Sequence, residues 1–164
     1  MAISTLSQLR LVCEEKPHSE EWYAARRPYL DAVDKLRNIV QTVWPAKGPE
    51  IWQAMDKHVQ MDIVRCIMRS SVSASVVDID IKSGKVSVNV ELEIWDEPSN
   101  DDDTEVRGRE FVDLMGPVWH DFVQMYVSRA IGVLFGDVPE ISDYQAHGDG
   151  VYGTRYSSLV TFNC

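Results

Sequence analysis

The apolar residues at the start of the chain recur every three or four positions, which is the spacing of one face of an α-helix. From Ser4 to Glu15 this pattern predicts a short amphipathic helix. Its apolar positions are Leu6, Leu9, Val12 and Cys13. Pro17 then interrupts the pattern, because proline has no backbone N–H to donate inside a helix.

Two further helices are predicted before residue 70. Ser19 suits the N-cap of the first, because its hydroxyl oxygen can accept a hydrogen bond from the first turn. The apolar stripe of this helix consists of Trp22, Tyr29, Val33, Leu36, Val40 and Val43. We expect Pro28 to kink or divide it and Pro45 to end it. Pro49 suits the first position of the other helix, so residues 4–69 form a helical region in three parts.

The segment from residue 74 to residue 95 alternates apolar and polar residues, which is the period of a β-strand. Ser83 and Gly84 form a candidate two-residue turn, so the pattern predicts a β-hairpin. With this turn, the opposed apolar pairs would be Ile81 with Val86, Ile79 with Val88 and Val77 with Val90. The carboxylates of the hairpin would share the opposite face, and a one-residue slip would destroy this sorting.

An acidic segment and a long helix follow the hairpin. Residues 96–107 show no apolar periodicity, and the first ten of them hold six acids and no base, so they predict a surface loop. Residues 109–135 predict a helix that ends at Gly136 and whose weak point is Gly116-Pro117. Its polar positions form only a narrow stripe, so we expect it to be buried on most sides. Residues 140–163 are predicted to be a strand region that joins the sheet of the hairpin.

This order of elements predicts a single α+β domain over residues 1–164, in which helices cover one face of a small antiparallel sheet. Apolar residues make up 45% of the chain and charged residues 26%, values that suit one soluble globular domain. No stretch approaches the ~20 apolar residues that span a bilayer, and Met1 to Glu15 lacks the pattern of a signal peptide. With only three cysteines, we expect a cytoplasmic protein without a disulfide framework.

The negative charge of the chain is concentrated in its second part. The net charge is −10: residues 1–71 hold ten basic and nine acidic residues, whereas residues 72–164 hold six and seventeen. This field disfavours direct contact with nucleic acids and anionic membranes, and favours either simple solubility or a basic protein partner. The candidate acidic surface consists of Asp78, Asp80, Glu91, Glu93, Asp96, Glu97, Asp101, Asp102, Asp103 and Glu105.

Few residues suggest a metal site. His58, Asp62 and Cys66 recur every four residues and could share a metal ion. A buried cysteine beside an ordinary hydrogen-bonded His–Asp pair explains them better. The acidic segment departs from the calcium-binding pattern at Ser99, where that pattern has aspartate, and at Thr104, where it has glycine. No metal ligand is therefore assigned.

Two groups on helices could carry a functional site. His120 and Asp121 lie on the polar stripe of the long helix, where a histidine can act as an acid or base or can be a hydrogen-bonded core residue. A basic and aromatic patch could stack on a nucleic-acid base or a partner's chain, or could be a core stripe with two solvated arginines. The patch consists of Arg26, Arg27, Trp22, Tyr23 and Tyr29. No known catalytic or nucleotide-binding motif is present, so no catalytic or cofactor-binding residue is assigned.

Without a catalytic motif, the sequence favours a non-enzymatic interaction or assembly factor, such as an adaptor, a chaperone-like protein or an inhibitor. We expect a homodimer that presents its acidic surface to a basic partner. Self-association would use the hairpin edge or the long helix, the latter through Val118, Trp119, Phe122, Met125 and Tyr126.

Two alternatives remain open. One is an acidic mimic of nucleic acid, because carboxylates on the outer face of a strand repeat at about 6.5–7 Å, close to the phosphate spacing of one strand. The other is a small enzyme that uses His120 and Asp121, or the trio at residues 58, 62 and 66, in a cleft.

Overall fold

The computed structural model describes residues 18–55, 67–94, 104–148 and 154–164, with the backbone alone over residues 104–112. Three predictions lie outside these residues: the helix from Ser4 to Glu15, the loop over residues 96–103, and the trio of His58, Asp62 and Cys66. The described residues form a layer of helices on a five-stranded sheet.

The first element, α1 (Glu20–Met55), is a helix of 36 residues. Its N-cap is Ser19, as predicted, because the hydroxyl oxygen accepts a hydrogen bond from the backbone N–H of Trp22 at 3.2 Å. The expectation that prolines would divide or end this helix is wrong. The helix contains Pro28, Pro45 and Pro49. Each proline removes a backbone hydrogen bond and so destabilises the helix locally. The buried stripe nevertheless continues from Val33 to Trp52, and its packing on the core outweighs this loss.

The predicted hairpin is confirmed, with β1 at Ser71–Asp80 and β2 at Lys85–Ile94. Its predicted register is wrong, because Ile79 pairs with Val86 rather than with Val88 and the turn holds the four residues 81–84. Registers that differ by two residues place the same side chains on the same face, so polarity alone could not choose between them.

Asp80 and Gly84 hold the four-residue turn. The backbone N–H of Gly84 donates to the carbonyl oxygen of Asp80 at 2.9 Å, and Gly84 has a φ of 73°, in the left-handed region that suits glycine. One carboxylate oxygen of Asp80 accepts a hydrogen bond from the backbone N–H of Lys82 at 3.1 Å. These bonds favour the wider turn over a tight turn at Ser83-Gly84.

β1 contains a bulge at Val77. Val76 pairs with Val88 and Asp78 pairs with Ser87, so Val77 is an extra residue with no partner across the β1–β2 ladder. The Val77 side chain, predicted to face inward, is instead 59% exposed. The sequence did not reveal which of the two adjacent valines faces inward, because either of them can occupy the apolar position of the alternating pattern.

The region of residues 140–163 joins the sheet of the hairpin, as predicted, and supplies three strands. They are β3 (Glu140–Ile141), β4 (Gln145–Gly148) and β5 (Thr154–Asn163). β5 pairs with β2 along its length, and both short strands pair with the other side of β5. All pairings are antiparallel, and the order β1-β2-β5-β3 places β1 at one edge.

A continuous helix, here called the long helix, runs through residues 104–135. It consists of α2 (Thr104–Phe122), a π-helical turn (Val123–Val127) and α3 (Ser128–Phe135). Residues 104–107 are helical, so the prediction of a loop at these positions is wrong. Gly116-Pro117 does not interrupt the helix, and Gly136 ends it with a φ of 66°, as predicted.

α1 and the long helix pack side by side on one face of the sheet, which confirms the α+β architecture. Trp44 of α1 lies at their contact, with its ring centroid 4.8 Å from that of Phe122 and 5.9 Å from that of Trp119. The outward side chains of β1 and β2 are mainly serine, asparagine and carboxylates. Within the described ranges, no helix is both long enough and apolar enough to cross a membrane.

The hydrogen bonds of the turn predict how the thermal stability of the protein depends on pH. The side chain and backbone of Ser83, with the backbone N–H of Lys82, hold the pKa of Asp80 below its ordinary value of 3.8. A lowered pKa stabilises the fold above that value, and the stabilisation is lost as the pH falls through the lowered pKa. We therefore expect Asp80→Asn to unfold at a lower temperature than the wild type at about pH 6 and at nearly the same temperature at about pH 2. Circular dichroism melts of both proteins measure this gap, and a gap that persists in acid contradicts the role of Asp80.

Candidate functional site

A groove of about 360 Å3 lies between the first turns of α1 and the last residues of β1. We call it the α1–β1 groove. Its walls are Trp22, Tyr23, Arg26 and Leu30 from α1 and Val76, Val77, Asp78 and Ile79 from β1. Most of these side chains are apolar or aromatic, which is the composition of pockets that bind ligands or partner chains.

The helical wall is an aromatic cluster with one arginine. Trp22, Arg26 and Leu30 are four residues apart and share one face of α1. The guanidinium carbon of Arg26 lies 4.0 Å from the centroid of the Trp22 ring, and Nη1 of Arg26 donates to the carbonyl oxygen of Trp22 at 3.1 Å. The rings of Trp22 and Tyr23 meet edge to face with centroids 5.0 Å apart. The basic and aromatic patch therefore contributes three of its members to the groove.

The other two members of the patch lie elsewhere. Arg27 is exposed and does not line the groove. Tyr29 packs against the hydrophobic core. The helix separates residues that are adjacent in the sequence patch, because neighbouring side chains on a helix point in directions that differ by about 100°.

The strand wall belongs to β1, an edge strand of the sheet to which side chains of α1 donate hydrogen bonds. Arg37 of α1 donates two hydrogen bonds to the carbonyl oxygen of Ala74, from Nε at 2.8 Å and from Nη2 at 2.7 Å. Gln41 Nε2 donates to the carbonyl oxygen of Val72 at 3.1 Å. These side chains saturate one half of the exposed edge and block strand addition there. Residues 76–79 of the same strand border the groove.

Three apolar side chains at the groove are exposed. Tyr23 is 46% exposed, Leu30 38% and Val77 59%. Clustered apolar exposure on a protein surface marks sites of interaction more often than single exposed residues do. The sequence reasoning missed Leu30 and Val77, and the available signal for Val77 was its place beside Val76 in an otherwise alternating run.

The hairpin carboxylates share the outer face of the sheet but do not form one uniform patch. Arg155 of β5 pairs with Glu93 at 2.7 Å and stands 4.0 Å from Glu91. Asp80 binds the backbone of the turn, whereas Asp78 lines the groove. The two pairs of carboxylates lie at opposite ends of the hairpin, so this spacing gives the nucleic-acid mimic no continuous row of charges.

The other six members of the candidate acidic surface lie outside the described side chains. Five of its members lie outside the described residues: Asp96, Glu97, Asp101, Asp102 and Asp103. Glu105 lies in α2, where the backbone alone is described.

The residues predicted for self-association divide into two groups. Val118, Trp119 and Phe122 are fully buried against α1 and the sheet of the same chain, so they have no area left for a second copy. Met125 is 51% exposed and Tyr126 is partly buried. The long helix thus offers a second copy only the side that turns away from its own core.

The candidate acid–base pair lies away from the groove. His120 and Asp121 are half-buried on the long helix, and the ring of His120 lies 6.2 Å from that of Tyr144. Neither residue lines the groove. In the part of the chain that the structure describes, no group of three or more histidine, cysteine, aspartate or glutamate side chains could hold a metal ion.

Comparisons of the chain with protein-family models, with curated proteins and with solved structures find no match. In the part of the chain that the structure describes, the α1–β1 groove is the feature that suggests binding most directly.

Proposed function

We propose that this protein is a non-enzymatic interaction or assembly factor that binds a segment of a partner polypeptide in the α1–β1 groove. The observation that carries the proposal is the convergence of three exposed apolar side chains, Tyr23, Leu30 and Val77, beside the edge strand of the sheet. A partner's apolar side chains would remove these surfaces from water. Backbone groups on the outer side of this edge strand would pair with an extended partner chain.

The charges at the groove favour a partner segment that combines apolar and basic residues. Arg26 already directs its charge to the ring and the carbonyl oxygen of Trp22. Asp78 at the opposite wall forms no ion pair among the described residues, so its carboxylate is available to a lysine or arginine of the partner. The net charge of −10 would also steer a basic partner toward the protein.

The bulge limits how a partner strand can pair. A regular ladder needs evenly spaced backbone groups, and the extra residue at Val77 breaks that spacing. Arg37 and Gln41 close the ladder beyond Ala74. The proposal is therefore a short backbone pairing supplemented by side-chain contacts in the groove, rather than a full added strand.

The homodimer remains part of the proposal. Because three of the five predicted contact residues are buried inside one chain, a second copy would use Met125 and Tyr126 on the long helix. This surface is separate from the groove residues, so self-association and partner binding would not compete for the same side chains.

Selection of displayed random peptides on the 164-residue chain, followed by affinity measurement, tests this function. We expect the enriched peptides to combine apolar and basic residues and to lose at least about tenfold in affinity, or about 1.4 kcal/mol, with Val77→Asp. The matched control is Val138→Asp, because Val138 is 85% exposed and does not line the groove. Failure to enrich any peptide, or equal weakening by both variants, contradicts the proposal.

Sedimentation of the wild type, Val77→Asp and Val138→Asp at micromolar concentration reports their assembly state. A monomer in every case would remove the homodimer and leave the groove proposal intact.

A further inference from the structure

The side of the long helix that turns away from the core carries a stripe of side chains that recur every four residues. We call it the Met125 stripe, and its members are Pro117, Asp121, Met125, Arg129 and Val133. Asp121 is half-buried and the other four are exposed, Val133 to 80% and Met125 to 51%. Steps of four residues drift around an α-helix by about 40° each, and the wider π-helical turn takes up part of this drift. The stripe is therefore one surface that continues from α2 into α3.

The residues of the stripe are arranged symmetrically about Met125. Apolar side chains stand at its centre and at both ends, and the two positions between them hold Asp121 on one side and Arg129 on the other. These two charged residues are eight positions apart, about 12 Å along the helix, which is too far for them to pair within one chain. Neither forms an ion pair among the described residues, so both charges are available to another molecule.

The side chains beside the stripe leave Arg129 as its available cation. The guanidinium carbon of Arg129 and Nζ of Lys47 each lie 5.9 Å from the centroid of the Tyr126 ring. Lys47 is already paired with Glu50 of α1, at 3.0 Å. Arg129 has the ring as its neighbour and no carboxylate among its ion-pair contacts in the described residues.

A second copy of the long helix that runs antiparallel would complement this stripe. A two-fold axis at Met125 pairs each residue with the one that lies equally far on the other side. Met125 would then meet Met125 of the second copy, and Asp121 would meet Arg129 twice, once on each side of the axis. At the ends, Pro117 would meet Val133. A parallel copy would instead oppose like charges, which disfavours that orientation.

We infer that two copies of the chain associate through the Met125 stripe, with their long helices antiparallel and with Asp121 of each copy opposite Arg129 of the other. The inference rests on the homodimer of the proposed function and adds the arrangement of its two chains. Removal of Met125 and Val133 from water supplies the affinity. Ion pairs at an exposed surface add little affinity, so Asp121 and Arg129 mainly select the orientation.

Reversing and then exchanging the two charges tests this arrangement. The dissociation constant of the dimer is measured by sedimentation equilibrium of the 164-residue chain over about 1–100 μM. We expect Asp121→Arg alone and Arg129→Asp alone each to raise this constant at least about tenfold, because each places like charges in opposition on both sides of the axis.

Two combinations should restore the association. The double variant Asp121→Arg, Arg129→Asp exchanges the charges and should regain the dissociation constant of the wild type. An equimolar mixture of the two single variants should form a mixed dimer, because one chain then carries two cations and the other two anions at the facing positions.

The matched controls are Asp31→Arg and Lys35→Asp, which make the same changes of net charge at exposed positions of α1. They should leave the dissociation constant nearly unchanged. Equal weakening by the controls assigns the effect to net charge and overturns the inference. A dimer that persists in both single variants, or a double variant as weak as the single ones, shows that the two charges do not face each other and also overturns it.

The peptide selection separates this interface from the groove. A wild type that stays monomeric over the whole range removes the interface together with the homodimer but leaves peptide binding intact, because other residues line the groove. A dimer that is weakened by charge reversal in a protein that enriches no peptide supports the interface and contradicts the groove as a binding site.

Discussion

Replacing Trp44 with alanine is expected to lower the free energy of unfolding by about 3–5 kcal/mol. Trp44 is 1% exposed and contacts the rings of Trp119 and Phe122 between the two helices. Its indole N–H donates to the hydroxyl of Ser70 at 2.7 Å, which ties α1 to the start of β1. The substitution would therefore leave a cavity and remove one buried hydrogen bond, a large fraction of the roughly 5–15 kcal/mol that stabilises a typical domain.

Urea unfolding followed by circular dichroism measures this loss. Trp44→Phe keeps most of the ring contacts and removes the N–H donor, so we expect a smaller loss of about 1–2 kcal/mol. Trp22→Ala is the matched control, because Trp22 is only partly buried and lies outside the core cluster. If Trp22→Ala costs as much as Trp44→Ala, the contact between the two helices is not where the structure places it.

Gly116→Ala is expected to destabilise the protein by about 1–2 kcal/mol and to become stabilising when Tyr144 is also replaced by alanine. A β-carbon at Gly116 would lie 2.6 Å from Cζ and 2.8 Å from Cε2 of Tyr144, so the ring would have to move. Without that ring, only the intrinsic preference of alanine for a helix remains, which is worth up to about 1 kcal/mol.

The same urea titration measures the four proteins of this double-mutant cycle. Gly132→Ala is the control, because a β-carbon at Gly132 meets nothing closer than the backbone oxygen of Asp137 at 3.9 Å. This substitution should stabilise α3 by up to about 1 kcal/mol. Additive effects at Gly116 and Tyr144 would show that the ring of Tyr144 does not rest on the long helix.

The strand pattern predicted which faces are buried more reliably than which residues pair. The carboxylates of β1 and β2 lie on the outer face, as their alternation indicated. Between the turn and the bulge the register was wrong by two residues, a shift that preserves the face of every side chain. Beyond the bulge it was wrong by three, because Ala74 rather than Val77 pairs with Val90. The hydrogen bond from the backbone N–H of Lys82 to the carboxylate of Asp80 favours the four-residue turn over the two-residue turn. The alternation of apolar and polar residues carries no information about such a bond.

The helix pattern predicted the buried stripe of α1 but not its continuity. A proline inside a helix costs about 3 kcal/mol by local preference, so the breaks expected at Pro28 and Pro45 followed from local rules. Trp44 and Trp52 flank Pro45 and Pro49 and are both buried. Tertiary packing of large side chains on both sides of the prolines overrides the local preference, and a single sequence does not reveal such packing.

The groove could be predicted only in part because its walls are distant in sequence. The aromatic residues and Arg26 were visible as a patch in the sequence. The fold brings Trp22 and Val77 to the same groove across 55 positions of the chain. The bulge that turns Val77 outward depends on the pairing with β2, so the site appears only once the sheet is formed.

The π-helical turn at Val123–Val127 changes the number of residues in one turn of the long helix. A turn closed by hydrogen bonds from residue i to residue i+5 contains one residue more than an ordinary α-helical turn. Beyond it, Ala130 and Ile131 return to the core, so the extra residue resets the phase of the helix. A relative with an uninterrupted α-helix here would be one residue shorter, and the alignment gap between the two chains would fall within this turn.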